Sequence, residues 1–444
     1  MLKMILKKLL PAPLFGLYHR ALATIGALLY GFPSEKLVVI GVTGTNGKST
    51  VGYLIVKMLE HAGFKTGLTS TAVFKIADRE WLNDKKMTML GRLQLQRILR
   101  DMVRAGCQYA VIETSSEGVK QHRHRGINYD TLIFTNLTPE HLEAHGGFEN
   151  YKKAKGELFA WLTARPRKML GGTNVQKTII VNADDEHAEY FLLFRADQKI
   201  IFGTNPATMV GEAGLGEIIG ERIVNTAHGA EFDVFGTHFT IALPGVFNVY
   251  NALAAIAVVN AQGITLEVCT EGLRKISGVP GRMEKIDEGQ SFTVIVDYAP
   301  EIASLEKLYE VVRTIPHGRV IHVLGSCGGG RDKARQPVLG RIAGENADIV
   351  FVTNEDPYDD DPMEIIGAVA EGTRAAGKVD QENLFRLIDR GAAIEQAISM
   401  ARPHDLVLIT GKGCEQAICI AGGKKIPWDD REVARAAINR LDRK

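Results

Sequence analysis

Residues 41–50 read Gly41-Val42-Thr43-Gly44-Thr45-Asn46-Gly47-Lys48-Ser49-Thr50. Upstream, Leu37-Val38-Val39-Ile40 is a short apolar, β-branched run; downstream, Val51 to Leu59 repeats apolar residues at helical spacing. A buried strand, a glycine loop and a helix N-terminus together make a phosphate cradle. The glycines turn backbone N–H groups toward an anion. Lys48 neutralises β- and γ-phosphate charge, and Ser49 or Thr50 offers a hydroxyl to Mg²⁺. Gly44, Thr45, Asn46, Gly47, Lys48, Ser49 and Thr50 are therefore candidate nucleotide contacts. The common phosphate-loop spacing wants glycine where Val42 stands; here the glycines are Gly41 and Gly44.

A chain of 444 residues implies two or three domains. Apolar content of 45% and charged content of 24% describe a globular protein. A net charge of +1 supplies no bulk field for nucleic acid or an anionic membrane. Cys107, Cys269, Cys327, Cys414 and Cys419 are scattered, with no C-x-x-C pair. That pattern argues for a reducing cytoplasm and against a disulfide framework or a zinc site. Met1 to Lys8 is basic and apolar, and Leu14 to Tyr30 is mostly apolar. Pro11, Pro13, His19 and Arg20 interrupt the pattern, and the uncharged run Ala21 to Ser34 is short for a bilayer. A helix packed on the protein is expected, with a membrane-surface helix and a span or signal as the alternatives.

Beyond the loop, strand-like runs alternate with helical patterns to about residue 280, which reads as α/β with a mostly parallel sheet. Tyr109 to Ile112 ends at Glu113, Thr131 to Thr135 at Asn136, and Lys177 to Val181 at Asn182. Such polar residues at C-terminal strand ends mark where open α/β sheets bind ligands. Residues 197–243 read as shorter, more antiparallel strands, and Asn248 to Asn260 as an alanine-rich helix. A second α/β unit, Rossmann-like, follows, with strands at Phe292 to Val296, Val320 to Leu324, Ile349 to Thr353 and Leu406 to Thr410.

The T-G-T-N-G-K loop resembles that of the Mur ligases and folylpolyglutamate synthases, ATP-dependent amide-forming enzymes. The resemblance becomes specific at Val111 to Arg123 (V-I-E-T-S-S-E-G-V-K-Q-H-R) and Phe134 to Phe159. It extends through G-V-F-N-V-Y-N from Gly245, G-R-M-E from Gly281, V-D-Y-A from Val296, G-G-G-R-D-K from Gly328 and G-K-G-C-E from Gly411. These look like the MurE type, which adds the third amino acid to UDP-N-acetylmuramoyl-dipeptide in peptidoglycan synthesis. The expected division is an N-terminal apolar helical segment (1–36), read from the residues, followed by a central ATP-binding domain (37–281) and a C-terminal amino-acid-binding domain (282–444), which the resemblance implies. It also implies an acyl-phosphate intermediate, shielded from water, with ATP and Mg²⁺ as cofactors. In that frame Glu113 and Ser49 bind Mg²⁺, and His141 ligates a second Mg²⁺. Lys155 carries a carbamate, which turns an ammonium into an anionic oxygen donor. Lys48, Glu113, His141 and Lys155 form the implied catalytic set. Asn248 and Asn251, three apart on one helix face, belong near the adenine. Arg282 is implied at the γ-phosphate, and Asp297 is implied to hold the ribose or orient the nucleotide. Thr88, Ser116, Gln121 and Arg123 face the muramoyl-peptide, with Arg123 suited to a carboxylate or phosphate. The implied partners are an amino acid and a muramoyl-peptide acceptor.

Several positions depart from the resemblance. Only some 36 residues precede the first strand, where MurE-type enzymes carry a uridine-binding domain. UDP held weakly by the central domain and a lipid-linked acceptor are the two expectations. A folate or polyglutamate acceptor, or a non-catalytic paralogue, is the wider alternative. The family's D-N-P-R is Glu355-Asp356-Pro357-Tyr358 here, and Tyr358 makes no bidentate pair with a second carboxylate. Asp359, Asp360 and Asp361 follow and would repel one, unless they are simply a solvated loop. The expectation is a basic amino acid, its ammonium received by Glu355 and Glu415, with Asp356 and Gly411 alongside. Glu117, Pro300 and Cys414 stand where the family has histidines.

Overall fold

A computed structural model of the chain describes residues 12–139, 145–205 and 214–441. Two compact units are present. The first comprises residues up to 224, 231–241 and 246–276; the second comprises 225–230, 242–245 and 277 onward. The expected boundary at 281/282 thus falls a few residues inside the second unit.

The first unit is organised by a nine-stranded sheet. Its order is Leu215–Ile219, Gln198–Gly203, Thr178–Asn182, Thr131–Phe134, Val38–Thr43, Tyr109–Glu113, Thr66–Thr69, Val73–Ile76, Arg79–Leu82. The first seven run parallel, and the last two turn back as an antiparallel edge. The central strands are buried on both faces, which explains their unbroken apolar runs. Val39, Ala110, Ile112, Leu132 and Phe134 join one core with residues of helices Arg92–Arg104 and Phe148–Thr163. On the other face, Gly52 of helix Lys48–His61 lies over Leu68 and Val111.

The expectation of antiparallel strands across 197–243 is corrected. Gln198–Gly203 and Leu215–Ile219 are parallel members of the main sheet. Only Glu221–Thr226, Gly229–Val234 and Thr237–Ile241, joined by two-residue connections, form a separate three-stranded sheet. Short edge strands carry the same alternation whichever way they run, so the pattern did not reveal direction.

The second unit carries a six-stranded sheet ordered Glu284–Ile286, Thr293–Asp297, Leu406–Thr410, Val320–Leu324, Ile349–Thr353, Leu384–Leu387. All neighbours are parallel except Glu284–Ile286. Its two faces belong to two separate apolar cores. In the first unit, helix Ala12–Leu29 buries Ala23 and Ala27, while Ile25, Leu28, Leu29 and Phe32 are exposed. No helix among the described residues is long and apolar enough to cross a membrane.

Beneath the central strands lies a buried ion cluster. Asp130 accepts the amide of Val39 and pairs with both Lys168 and Lys177. Burial pulls Lys168 down to about 8, with Asp130 opposing that shift. Lys177 also reaches Asn128 and the Tyr129 carbonyl. Asp130→Asn leaves two buried ammonium groups without their counter-charge. A loss of about 3–5 kcal/mol is expected for breaking such a cluster. Thermal unfolding of the intact chain should show it as a lowered midpoint; an unchanged midpoint would contradict the assignment.

Candidate active site

The phosphate loop leaves the C-terminal end of strand Val38–Thr43 and enters helix Lys48–His61. Gly44 has φ 151 and Gly47 has φ 83. A β-carbon on Gly44 would lie 1.9 Å from Thr135 Oγ1, and one on Gly47 would lie 2.2 Å from Asn251 Oδ1. Both positions therefore require glycine for space, and Gly47 also for conformation. Neighbouring strand ends hold the loop from below. The Thr45 amide donates to the Asn136 carbonyl, the Asn46 amide to Asn136 Oδ1 at 2.8 Å, and Thr135 Oγ1 to the Asn46 carbonyl at 2.7 Å. Lys48 folds back, its Nζ 2.6 Å from the Thr45 carbonyl.

Ser49 Oγ donates to Glu113 Oε2 at 2.7 Å. Thr71 anchors the same carboxylate twice, donating its amide to Oε2 at 2.7 Å and its hydroxyl to Oε1 at 2.9 Å. Thr88 Oγ1 stands 3.0 Å from the Thr71 hydroxyl. The hydroxyl and carboxylate oxygens of Ser49 and Glu113 are the hard donors that Mg²⁺ takes, so these residues fit that ion. Thr50 is buried in the first helical turn.

Lys155 is 1% exposed on helix Phe148–Thr163. Its Nζ lies 2.7 Å from the Gly44 carbonyl and 4.5 Å from the Tyr151 ring centroid. The fold therefore brings Lys155, Lys48, Ser49 and Glu113 to one loop. His141 lies outside the described residues. Asn251 donates to Asn248 Oδ1 at 3.0 Å, so one helix face meets the loop at Gly47.

Beyond the loop, Ser116 Oγ is 3.1 Å from His145 Nε2. Gln121 donates to Glu117, and Gln121 Oε1 receives Arg123 Nε at 3.2 Å and Nη2 at 2.8 Å. Arg123 Nη1 donates to the Met89 carbonyl. Gly91 begins helix Arg92–Arg104.

In the second unit, Asp297 accepts the amides of Met283 at 2.7 Å and Ala299 at 2.8 Å, and burial raises its pKa. Arg282 lies over the Tyr298 ring at 4.5 Å. Lys412, fully buried, was missed. It lies 3.1 Å from both Asp356 oxygens and 2.6 Å from Glu415 Oε2. Cys327 Sγ is 2.8 Å from Glu355 Oε1, and burial plus Asp356 raise the Glu355 pKa. A β-carbon on Gly411 would lie 2.4 Å from Glu355 Oε2. Tyr358 has φ 53, and its amide reaches the Cys419 carbonyl.

The expected acids already have partners in this geometry: Glu355 meets Cys327, and Glu415 meets Lys412. The acids Asp359 to Asp361 also bind backbone amides. Asp359 accepts the Gly422 amide, Asp360 the Gly329 amide, and Asp361 caps helix Pro362–Ala375. Thr71 and Lys412 were both missed; a lysine between two glycines was the only available signal for the second, and Thr71 had none.

Known proteins resemble this chain in sequence and fold. The Mur ligase middle domain matches residues 42–259, and the Mur ligase glutamate ligase domain matches 281–413. The UDP-N-acetylmuramyl-tripeptide synthetase of Roseiflexus sp. (strain RS-1) is 40% identical over 432 residues, covering 95% of this chain and 82% of that protein. The chain belongs to the Mur ligase family. The UDP-N-acetylmuramoyl-L-alanyl-D-glutamate--2,6-diaminopimelate ligase of Geobacillus thermodenitrificans (strain NG80-2) is 38% identical, with 95% of this chain and 82% of that protein covered. A solved structure of a UDP-N-acetylmuramoyl-L-alanyl-D-glutamate--2,6-diaminopimelate ligase superposes with a TM-score of 0.59 at 27% identity, covering 92% of this chain and 79% of that one. This Mur ligase is thus an ATP-dependent, amide-forming enzyme.

Lys48→Ala removes a charged contact worth about 1.5–3 kcal/mol in the ground state. Turnover should fall more than nucleotide affinity, as charge grows on the transferred phosphoryl group. Steady-state kinetics beside nucleotide titration checks this, and equal losses would make Lys48 a uniform binder. Lys155→Ala should lower ligation by about a hundredfold or more, roughly 2.7 kcal/mol, with folding retained. Short carboxylic acids should partly restore it if the side chain carries a carbamate; near-normal ligation would exclude that role.

Proposed function

We propose that this Mur ligase joins an amino acid to the carboxylate of a muramoyl-peptide precursor of peptidoglycan. ATP phosphorylates the carboxylate, and the amine then displaces phosphate from the acyl phosphate. The observation that carries the reading is the convergence of Lys48, Ser49, Glu113 and Lys155 on one glycine loop. Ser49 and Glu113 are assigned to Mg²⁺, which when bound offsets phosphate charge. His141 and a carbamylated Lys155 are assigned to a second ion. Lys48 and the loop amides hold the phosphates, Asn248 and Asn251 support the nucleotide, and Arg282 and Asp297 are assigned to nucleotide binding. Thr88, Ser116, Gln121 and Arg123 face the peptide. Five free, buried thiols suit a cytoplasmic enzyme.

The incoming amino acid is assigned a cationic side chain. Tyr358 stands where an arginine would recognise a second carboxylate. Asp356 and Glu415 share one buried lysine, Lys412, and burial and then Asp356 raise the pKa of Glu355, so a further cation would relieve it. A second carboxylate would add negative charge there.

ADP release should require both an amino acid and a muramoyl-dipeptide acceptor; nucleotide binding without turnover under any acceptor would exclude ligation. With the acceptor fixed, kcat/KM for lysine or ornithine should exceed that for diaminopimelate by about tenfold, roughly 1.4 kcal/mol. The reverse order would exclude the cationic assignment while leaving the ligase intact.

A further inference from the structure

Residues 121–126 read Gln-His-Arg-His-Arg-Gly and form the turn after helix Ser116–Lys120. His122 has φ 56, and the Arg125 amide reaches the His122 carbonyl at 3.3 Å. The His122 and His124 ring centroids are 6.2 Å apart, and His124 lies edge-on to Trp161. Two helices close on this turn. Arg92, at the start of Arg92–Arg104, donates to the Gln121 carbonyl. The N-terminal helix Ala12–Leu29 packs so tightly that a β-carbon on Gly126 would lie 2.8 Å from the Ala23 carbonyl oxygen. One on Gly16 would lie 3.9 Å from His122 Nε2. Arg20 of the same helix, with Arg125 and Arg92, bears on His122 electrostatically.

Four arginines (Arg20, Arg92, Arg123, Arg125) and two histidines (His122, His124) thus meet where three elements join. The charges facing them are few. Glu117 acts on Arg123, Glu157 on Arg125 and Tyr18 on Arg92. None of the four arginines forms an ion pair with a carboxylate among the described residues. Burial and neighbouring cations pull Arg92 down to about 10 and His122 to about 4. Nε of Arg92, Nε of Arg125 and Nδ1 of His122 and His124 are buried with no hydrogen-bond partner among the described residues. Gathering like charge and unpartnered polar atoms in one place costs folding energy, and a polyanion that fills the junction offsets it.

We propose that this junction binds the diphosphate of the acceptor. The proposal rests on the muramoyl-peptide reading and extends it. Arg123 belongs both to the cluster and to the assigned peptide surface, so the diphosphate end continues from the peptide end. A nucleotide-linked and a polyprenyl-linked acceptor share this group. Ile25, Leu28 and Leu29, exposed on the same N-terminal helix, and Phe32 just beyond its end make the lipid arm worth measuring.

The test compares three acceptors on the full chain: UDP-linked muramoyl-dipeptide, its polyprenyl-diphosphate counterpart in detergent, and muramoyl-dipeptide without phosphate. The double variant R92Q/R125Q should raise KM for the diphosphate-bearing acceptors by about tenfold or more, with kcat and the KM for ATP little changed. The phosphate-free acceptor should be unaffected. R125Q alone serves if the double variant does not fold. No rise in KM, or an equal rise for the phosphate-free acceptor, overturns the proposal. The diphosphate acceptor with the lower KM in the parent enzyme identifies the source. Calorimetry with inorganic pyrophosphate, the phosphate loop filled by a non-hydrolysable ATP analogue, gives a readout independent of ligation. The parent should bind and the variant should not; no binding by the parent overturns the site. Pyrophosphate binding with none of the three acceptors ligated would sink the muramoyl-peptide reading and leave the anion site standing.

Discussion

At Gly44 and Gly47 there is no room for a β-carbon. Thr135 Oγ1 and Asn251 Oδ1 occupy that space, so the loop backbone is clamped between a strand end and a helix. The position of the loop backbone depends on this close approach. It aligns the loop amides over the start of helix Lys48–His61, where the helix dipole adds to their pull on an anion. It also brings the Gly44 carbonyl within reach of Lys155, whose helix begins about a hundred residues further on.

The carboxylate of Glu113 extends the same logic sideways. Ser49 and Thr71 together donate three hydrogen bonds to it, which fixes its orientation beside the loop. A carboxylate held this way would lose little freedom on meeting a cation. Thr71 also meets Thr88, so Ser49, Glu113, Thr71 and Thr88 share one hydrogen-bonded chain. In the second unit Lys412 plays a comparable organising part. It gathers Asp356 and Glu415 around one buried ammonium, and Gly411 lets Glu355 approach closely.

Several parts of this architecture are legible in the linear chain because they are local. The strand–loop–helix at Leu37 to Leu59 needs only an apolar run, glycines and helical periodicity. The strands ending at Glu113, Asn136, Asn182 and Asp297 likewise announce themselves by polar residues after apolar runs. Strand direction in 198–219 is different, since hydrogen-bond partners, not the strand's own residues, decide parallel from antiparallel. The acidic run Asp359 to Asp361 shows the same limit. As sequence it is a block of negative charge; as structure each carboxylate accepts a backbone amide from a different place.

The sequence by itself determined the phosphate loop, the two α/β units and the family, because these rest on short-range spacing and on motifs that survive in one dimension. Tertiary structure alone decided which groups share a charge environment. Lys412 found Asp356 fifty-six positions away, Ser49 found Glu113 sixty-four away, and Arg92 joined the turn at 121–126. Electrostatic and hydrogen-bond energies fall off over a few ångströms of space, whatever the separation along the chain. That is why Thr71 and Lys412 became visible only once the chain was folded.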